Sequence, residues 1–139
     1  MSLLISKTAA TCNNKLIEKK SEEGKNPTRY YSHKQETAVA KATGGKLTPN
    51  SGATMFGGKS DVAIPNLFSI ECKTKTTSAD SITIKKAWIE KLKAEALFDN
   101  HPYQALTFNF GPDQTNYYII DEYLFQDLIE YLKIKEELN

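Results

Sequence analysis

A chain of 139 residues is the usual size of one domain and is long enough to bury its own core. With 40% hydrophobic and 25% charged residues it reads as a globular protein, and its longest apolar run falls far short of the ~20 residues of a membrane helix. Two cysteines, Cys12 and Cys72, argue against a disulfide framework, and the apolar part of "MSLLISKTAATC" is too short for a secretory signal; the expectation is a reduced, cytoplasmic protein.

The net charge of +1 hides an uneven distribution. Residues 1–94 carry 16 Lys and Arg against 8 Asp and Glu, whereas residues 95–139 carry 2 against 9. One reading is a basic face for a polyanion set away from an acidic C-terminal helix; solvated helix faces explain the pattern about equally well.

In chain order, residues 1–27 lack sustained periodicity and read as an N-terminal arm, with a single domain over 28–139. A first helix starts at Asn26-Pro27, or later at Ser32, and stops at Gly44-Gly45. A short strand is expected near Lys46 to Thr48, followed by a loop broken by Pro49, Gly52, Gly57 and Gly58. The stretch "GGKSDVAIPNLFSIECKTK" then reads as two strands turning at Pro65-Asn66. Thr83 can cap a helix over about 84–98, in which Trp88, Leu92 and Ala96 recur every four residues with Ile89 beside them. "YQALTFNF" and "NYYII" alternate as strands, and Asp121 opens a last helix whose Leu124, Phe125, Leu128, Ile129 and Leu132 form one apolar face, expected in the core. The order α, β, β, β, α, β, β, α predicts a mixed sheet flanked by helices, an α/β (α+β) class.

The two-strand stretch carries the chemistry. Alternation points Glu71 and Lys73 to one face and Cys72 to the other, where it packs. A three-residue connection, Pro65-Asn66-Leu67, sets Ile64 opposite Phe68 and therefore Asp61 opposite Glu71. Two carboxylates held ~5 Å apart repel unless a cation lies between them, and a hard divalent ion with oxygen ligands suits them. A Mg²⁺ held by few protein oxygens keeps positions open for a phosphate, the usual arrangement for metal-assisted phosphodiester hydrolysis. Glu-x-Lys alone is weak, since the chain holds it three times; only Glu71-Cys72-Lys73 ends a β-like apolar run with an Asp ten residues upstream. No Gly-x-Ser-x-Gly or Gly-Lys-Ser/Thr motif is present, and His33 and His101 have no partners at zinc-ligand spacing.

"GGKSDV" followed by "FSIECKTK", after a helix bearing Glu36 and before "SITIKKAWIEKL", resembles the PD-(D/E)XK nuclease superfamily, with the nearest likeness to small phage-encoded and archaeal-type Holliday junction resolvases. The likeness covers roughly residues 28–110, and Ser60 stands where the motif's name has proline. The resemblance implies a restriction-endonuclease-like core, αβββαβ, with an added C-terminal strand and helix. It implies Asp61, Glu71 and the Cys72 backbone carbonyl as Mg²⁺ ligands, with Mn²⁺ able to substitute, and Lys73 orienting or polarising the attacking water. Glu36 matches an extra acid near the metal, and Ser51 in "PNSGA" matches a serine that contacts the scissile phosphate. Lys59, Lys75, Lys85 and Lys86 flank the site as phosphate contacts. The function implied is a Mg²⁺-dependent DNA endonuclease that resolves Holliday junctions or related branched DNA by metal-activated water attack, working as a homodimer because two symmetric cuts are needed. The alternatives are another structure-specific repair, end-processing or restriction-type nuclease, or a non-catalytic DNA-binding protein on a nuclease fold.

Overall fold

A computed structural model describes residues 24–49 and 59–139. Helix α1 (Thr28–Thr43) leads into strand β1 (Lys46–Leu47), then β2 (Val62–Ile64) and β3 (Phe68–Lys73). Helix α2 (Lys86–Phe98) follows, then β4 (Tyr103–Phe108), β5 (Tyr117–Ile119) and helix α3 (Glu122–Leu138). The strands form one mixed sheet in the order β1-β2-β3-β4-β5, antiparallel except for the parallel pair β3 and β4 that α2 connects. The element order and the mixed sheet agree with the reading of the sequence.

Helix α1 follows the earlier of the two expected starts. Pro27 occupies its N-cap position, where a missing N–H costs nothing. Gly44 ends it at φ 71°, in the left-handed region where a residue without Cβ is unstrained. Its buried residues Tyr31, Gln35 and Val39 recur every four positions. Val39 packs with Val62 and Ile70, and Phe68 and Cys72 flank this cluster, so α1 covers the face of β3 that carries Phe68, Ile70 and Cys72. By alternation Ser69, Glu71 and Lys73 face the other side, where α2 lies with Leu92 and Ala96 buried.

Two expectations need correcting. Helix α2 begins at Lys86 rather than Ile84, with Lys85 extended at the N-cap and no side-chain cap, so Thr83 does not start it. The run Ile82-Thr83-Ile84 is β-branched throughout, which favours extended backbone over a helical turn. The larger correction concerns α3. Asp121 caps it as expected, its Oδ1 accepting the Leu124 N–H at 2.9 Å. No residue of α3 is buried, however: Leu124 is half-buried, and Phe125, Leu128, Ile129 and Leu132 are exposed. The apolar stripe is present, but among the described residues it is not core. The N-terminal arm lies mostly outside the described residues. Among the described residues no helix is long and apolar enough to cross a membrane.

Candidate active site

The turn between β2 and β3 sets the site's geometry. Asn66 takes φ 63°, a conformation Asn tolerates, and the Leu67 N–H donates to the Ile64 carbonyl at 3.0 Å. The register follows: Ile64 opposite Phe68, Ala63 opposite Ser69, Val62 opposite Ile70. Pairing stops there, one step short of Asp61 and Glu71, so β3 runs on past the end of β2 with its edge open.

Asp61 closes that edge. Its Oδ2 accepts the Cys72 N–H at 2.8 Å, and its own carbonyl accepts the Thr48 N–H at 3.0 Å. Because N–H and C=O of one strand residue leave on the same side, the Cys72 carbonyl is also directed to the Asp61 edge. On the α2-facing side, Lys73 Nζ donates to Glu71 Oε1 at 2.8 Å. The Lys73 ammonium also lies 4.8 Å from the centre of the Trp88 ring. Its backbone is held as well, since the Lys73 carbonyl accepts from Gln35 Nε2 at 2.9 Å and from the Asn109 N–H at 3.3 Å.

The acids of the site are raised first by burial and then by one another. Burial, then repulsion from Asp61, raises the Glu71 carboxyl above its usual range, although Lys73 sits in contact and Lys91 also favours the charged form. Glu36, half-buried on α1, is pushed up to about 7 by burial and by Asp61 and Glu71, against the opposing pull of Arg29. The Cys72 thiol is raised, first by burial and then by the same three acids, and it packs in the core as an unreactive group.

Two carboxylates and a backbone carbonyl at a strand edge are hard oxygen donors, the kind of group that Mg²⁺ takes as ligands. Among the described residues no group of three or more His, Cys, Asp or Glu side chains is gathered closely enough to hold a metal. Glu36 lies close enough to Asp61 and Glu71 for their charge to raise its carboxyl. A Mg²⁺ site needs only one or two carboxylates.

The flanking lysines divide. Lys85 shares the Trp88 ring with Lys73, its Nζ 5.6 Å from the ring centre, so α2 brings it to the site. Lys59 is exposed just ahead of Asp61, and Lys75 is half-buried beyond Lys73. Lys86 is turned to Glu90 at 3.5 Å. Ser51 lies outside the described residues.

Four contributors escaped the reading of the sequence. Trp88, read from the sequence only as part of an apolar recurrence, is half-buried and carries the two ammonium groups. Gln35 and Asn109 hold the Lys73 backbone. Glu95 is 4% exposed, its Oε1 3.5 Å from Lys91 Nζ, and its carboxyl is raised by burial and then by repulsion from Glu71, against the pull of Lys91. Trp88, Leu92 and Glu95 stand at i, i+4 and i+7, so helical periodicity extended by one step would have placed Glu95 on the inward face.

No protein-family model, curated protein or solved structure matches this chain.

Proposed function

We propose that this chain is a Mg²⁺-dependent DNA endonuclease, acting on Holliday junctions or related branched DNA, with a restriction-endonuclease-like core. The observation that carries the reading is the open end of β3. There Asp61 is bonded across to the Cys72 N–H, with Glu71 and Lys73 on the adjacent face and the Glu71 carboxyl raised by burial and by Asp61. Asp61, Glu71 and the Cys72 carbonyl would hold Mg²⁺. When bound, the ion polarises a phosphoryl oxygen and acidifies water at neutral pH. Lys73, aimed by Glu71 and Trp88, neutralises charge that develops on the phosphate. Lys85, on the same indole, extends the positive surface along the DNA backbone.

The direct contact between Lys73 and Glu71 also suits a second reading, a structural ion pair on a DNA-binding protein. Both are tested by incubating four-way-junction, flap, nicked and linear duplex DNA with the protein in Mg²⁺ or EDTA, beside Asp61→Asn and Lys73→Ala. Mg²⁺-dependent cutting lost in both variants, with binding retained, is the expected result. Binding without cutting of any substrate favours the second reading, and equal cutting of linear and branched DNA removes the junction assignment.

A further inference from the structure

Where α1 crosses the C-terminal ends of β3 and β4 there is a cavity of about 220 Å³ that the proposed chemistry does not use. Among the described residues, α1 lines it with Tyr31 and Gln35, the strand ends with Thr74 and Asn109, and the loop ahead of β5 with Asn116. Its volume is several times the ~30 Å³ that a water molecule occupies in the liquid. It falls below the roughly 300–1,000 Å³ of sites for drug-sized ligands, so it suits one small ring system.

A chain of hydrogen bonds fixes the amides around it. Thr74 Oγ1 donates to Asn109 Oδ1 at 2.6 Å, and Asn109 Nδ2 donates to Asn116 Oδ1 at 3.2 Å. Gln35 Nε2 donates to the same Asn116 oxygen at 3.1 Å and to the Lys73 carbonyl at 2.9 Å. Two groups are left over once these bonds are made. Gln35 is 5% exposed, yet its Oε1 has no hydrogen-bond partner. The Asn116 Nδ2 hydrogens have no acceptor among the described residues. A buried amide oxygen without a donor is costly, and its retention in a folded protein calls for a reason. The charged residues of the lining, Lys34 and Asp113, are bonded to each other at 2.7 Å, so among the described residues the cavity offers no net charge to a phosphate or a metal ion.

We propose that this cavity is a nucleobase pocket, in which Gln35 Oε1 accepts from a base N–H and Asn116 Nδ2 donates to the neighbouring ring nitrogen or carbonyl. Nucleobases carry a donor beside an acceptor on their edges, and Asn and Gln amides are the side chains that match that pair. Tyr31 adds an aromatic wall for a planar ring. The loop that carries Asn116 is set in advance: the Ala79 N–H donates to the Phe110 carbonyl at 2.8 Å, and Gly111 packs so closely that an added Cβ would come within 2.9 Å of Ser78 Cα. Thr74 follows Lys73 directly and lies ~6.6 Å along the strand from Cys72. One strand of DNA advances ~3.4 Å per nucleotide, so a base about two nucleotides from a phosphate at Asp61 comes level with the cavity. The occupant is then an unstacked base of bound DNA. That source rests on the endonuclease reading, whereas a free nucleoside presents the same edge without it.

Titrating the ¹⁵N-labelled full-length chain with each of the four deoxynucleosides, and with deoxyribose 5-phosphate beside them, tests the pocket. Millimolar nucleosides are expected to shift the side-chain amide signals of Gln35 and Asn116 while the sugar phosphate leaves them in place, and Asn116→Ala should weaken the response at least ~10-fold. A second arm reads the source of the base: 5-iodouracil is placed at successive positions of one strand of a four-way junction and irradiated on the parent chain in EDTA. One position, or two adjacent ones, should cross-link to the peptide that holds Tyr31. Shifts caused equally by the sugar phosphate, or nuclear Overhauser contacts from residues 1–23 or 50–58 to Gln35 in the free chain, would overturn the proposal. DNA cut in Mg²⁺ with neither nucleoside shifts nor that cross-link would overturn it too, and would leave the endonuclease reading standing. Nucleoside shifts in a chain that binds no DNA would uphold the pocket, assign it to free nucleosides and remove the endonuclease reading instead.

Discussion

Glu71 is subject to two opposing forces. Lys73 is in direct contact and favours the carboxylate, yet burial and the charge of Asp61 outweigh it and raise the carboxyl. A divalent cation relieves that repulsion, so Mg²⁺ at a hundred times its dissociation constant should stabilise the fold by ~2.7 kcal/mol. The expected observation is a melting temperature several degrees higher in Mg²⁺ than in EDTA, with no such shift in Asp61→Asn. Glu95 makes a separate prediction. Its carboxyl is raised in the folded state, so the folded protein binds more protons than the unfolded chain above the ordinary carboxylate range. Stability is therefore fully present at low pH and falls as pH rises through the raised value. Glu95→Gln removes this loss, and scanning calorimetry should find it melting roughly 3–5 °C above the parent at pH 8 while the two converge near pH 4.5.

At the scale of the elements, the site depends on two backbone features remote from any charged group. The turn at Asn66 sets the β2–β3 register, and a slip of one residue would send Glu71 and Lys73 to the α1 side. The end of α1 at Gly44 feeds β1, whose neighbouring Thr48 holds the Asp61 carbonyl. Gly44→Ala forces a Cβ into the left-handed region and should cost about 1–2 kcal/mol, read as a lower urea midpoint with an unchanged slope. Trp88 links α2 to the chemistry. Trp88→Leu keeps an apolar residue on the helix but removes the ring that holds Lys73 and Lys85. The variant should fold, with junction-cutting activity falling by an order of magnitude or more as Lys73 loses its fixed position.

For the whole molecule, the two-ended charge now has a structural division. The basic excess of residues 1–94 includes the site-flanking lysines, while α3 gathers five of the nine C-terminal acids, Glu122, Asp127, Glu130, Glu136 and Glu137. If Lys59, Lys75, Lys85 and Lys86 each neutralise one phosphate, affinity for DNA should fall ~100-fold between ~50 and ~200 mM salt, with a log–log slope of about −3.6. Replacing all four with Ala should flatten that slope toward zero in filter-binding or anisotropy titrations. A slope unchanged by the substitutions would mean that DNA contacts other lysines.

The order of elements, the Pro65-Asn66 turn, the hairpin register and the convergence of Asp61, Glu71 and Lys73 were all legible in the chain, because each rests on local rules: strand alternation, turn chemistry and cap residues. The start of α2 was misjudged, since a run of β-branched residues outweighed a good capping residue. What local rules could not supply was burial. Periodicity identifies the apolar face of a helix without saying what covers it, so α2 and α3 look alike in sequence. Only the tertiary structure shows α2 seated on the sheet with Glu95 buried near Glu71, and α3 with its stripe exposed among the described residues. It also shows Gln35, Asn109 and Trp88, far apart in the chain, meeting at Lys73. Local pattern determined which residues could carry the chemistry; packing over long separations decided which neighbours surround them and which apolar face is exposed among the described residues.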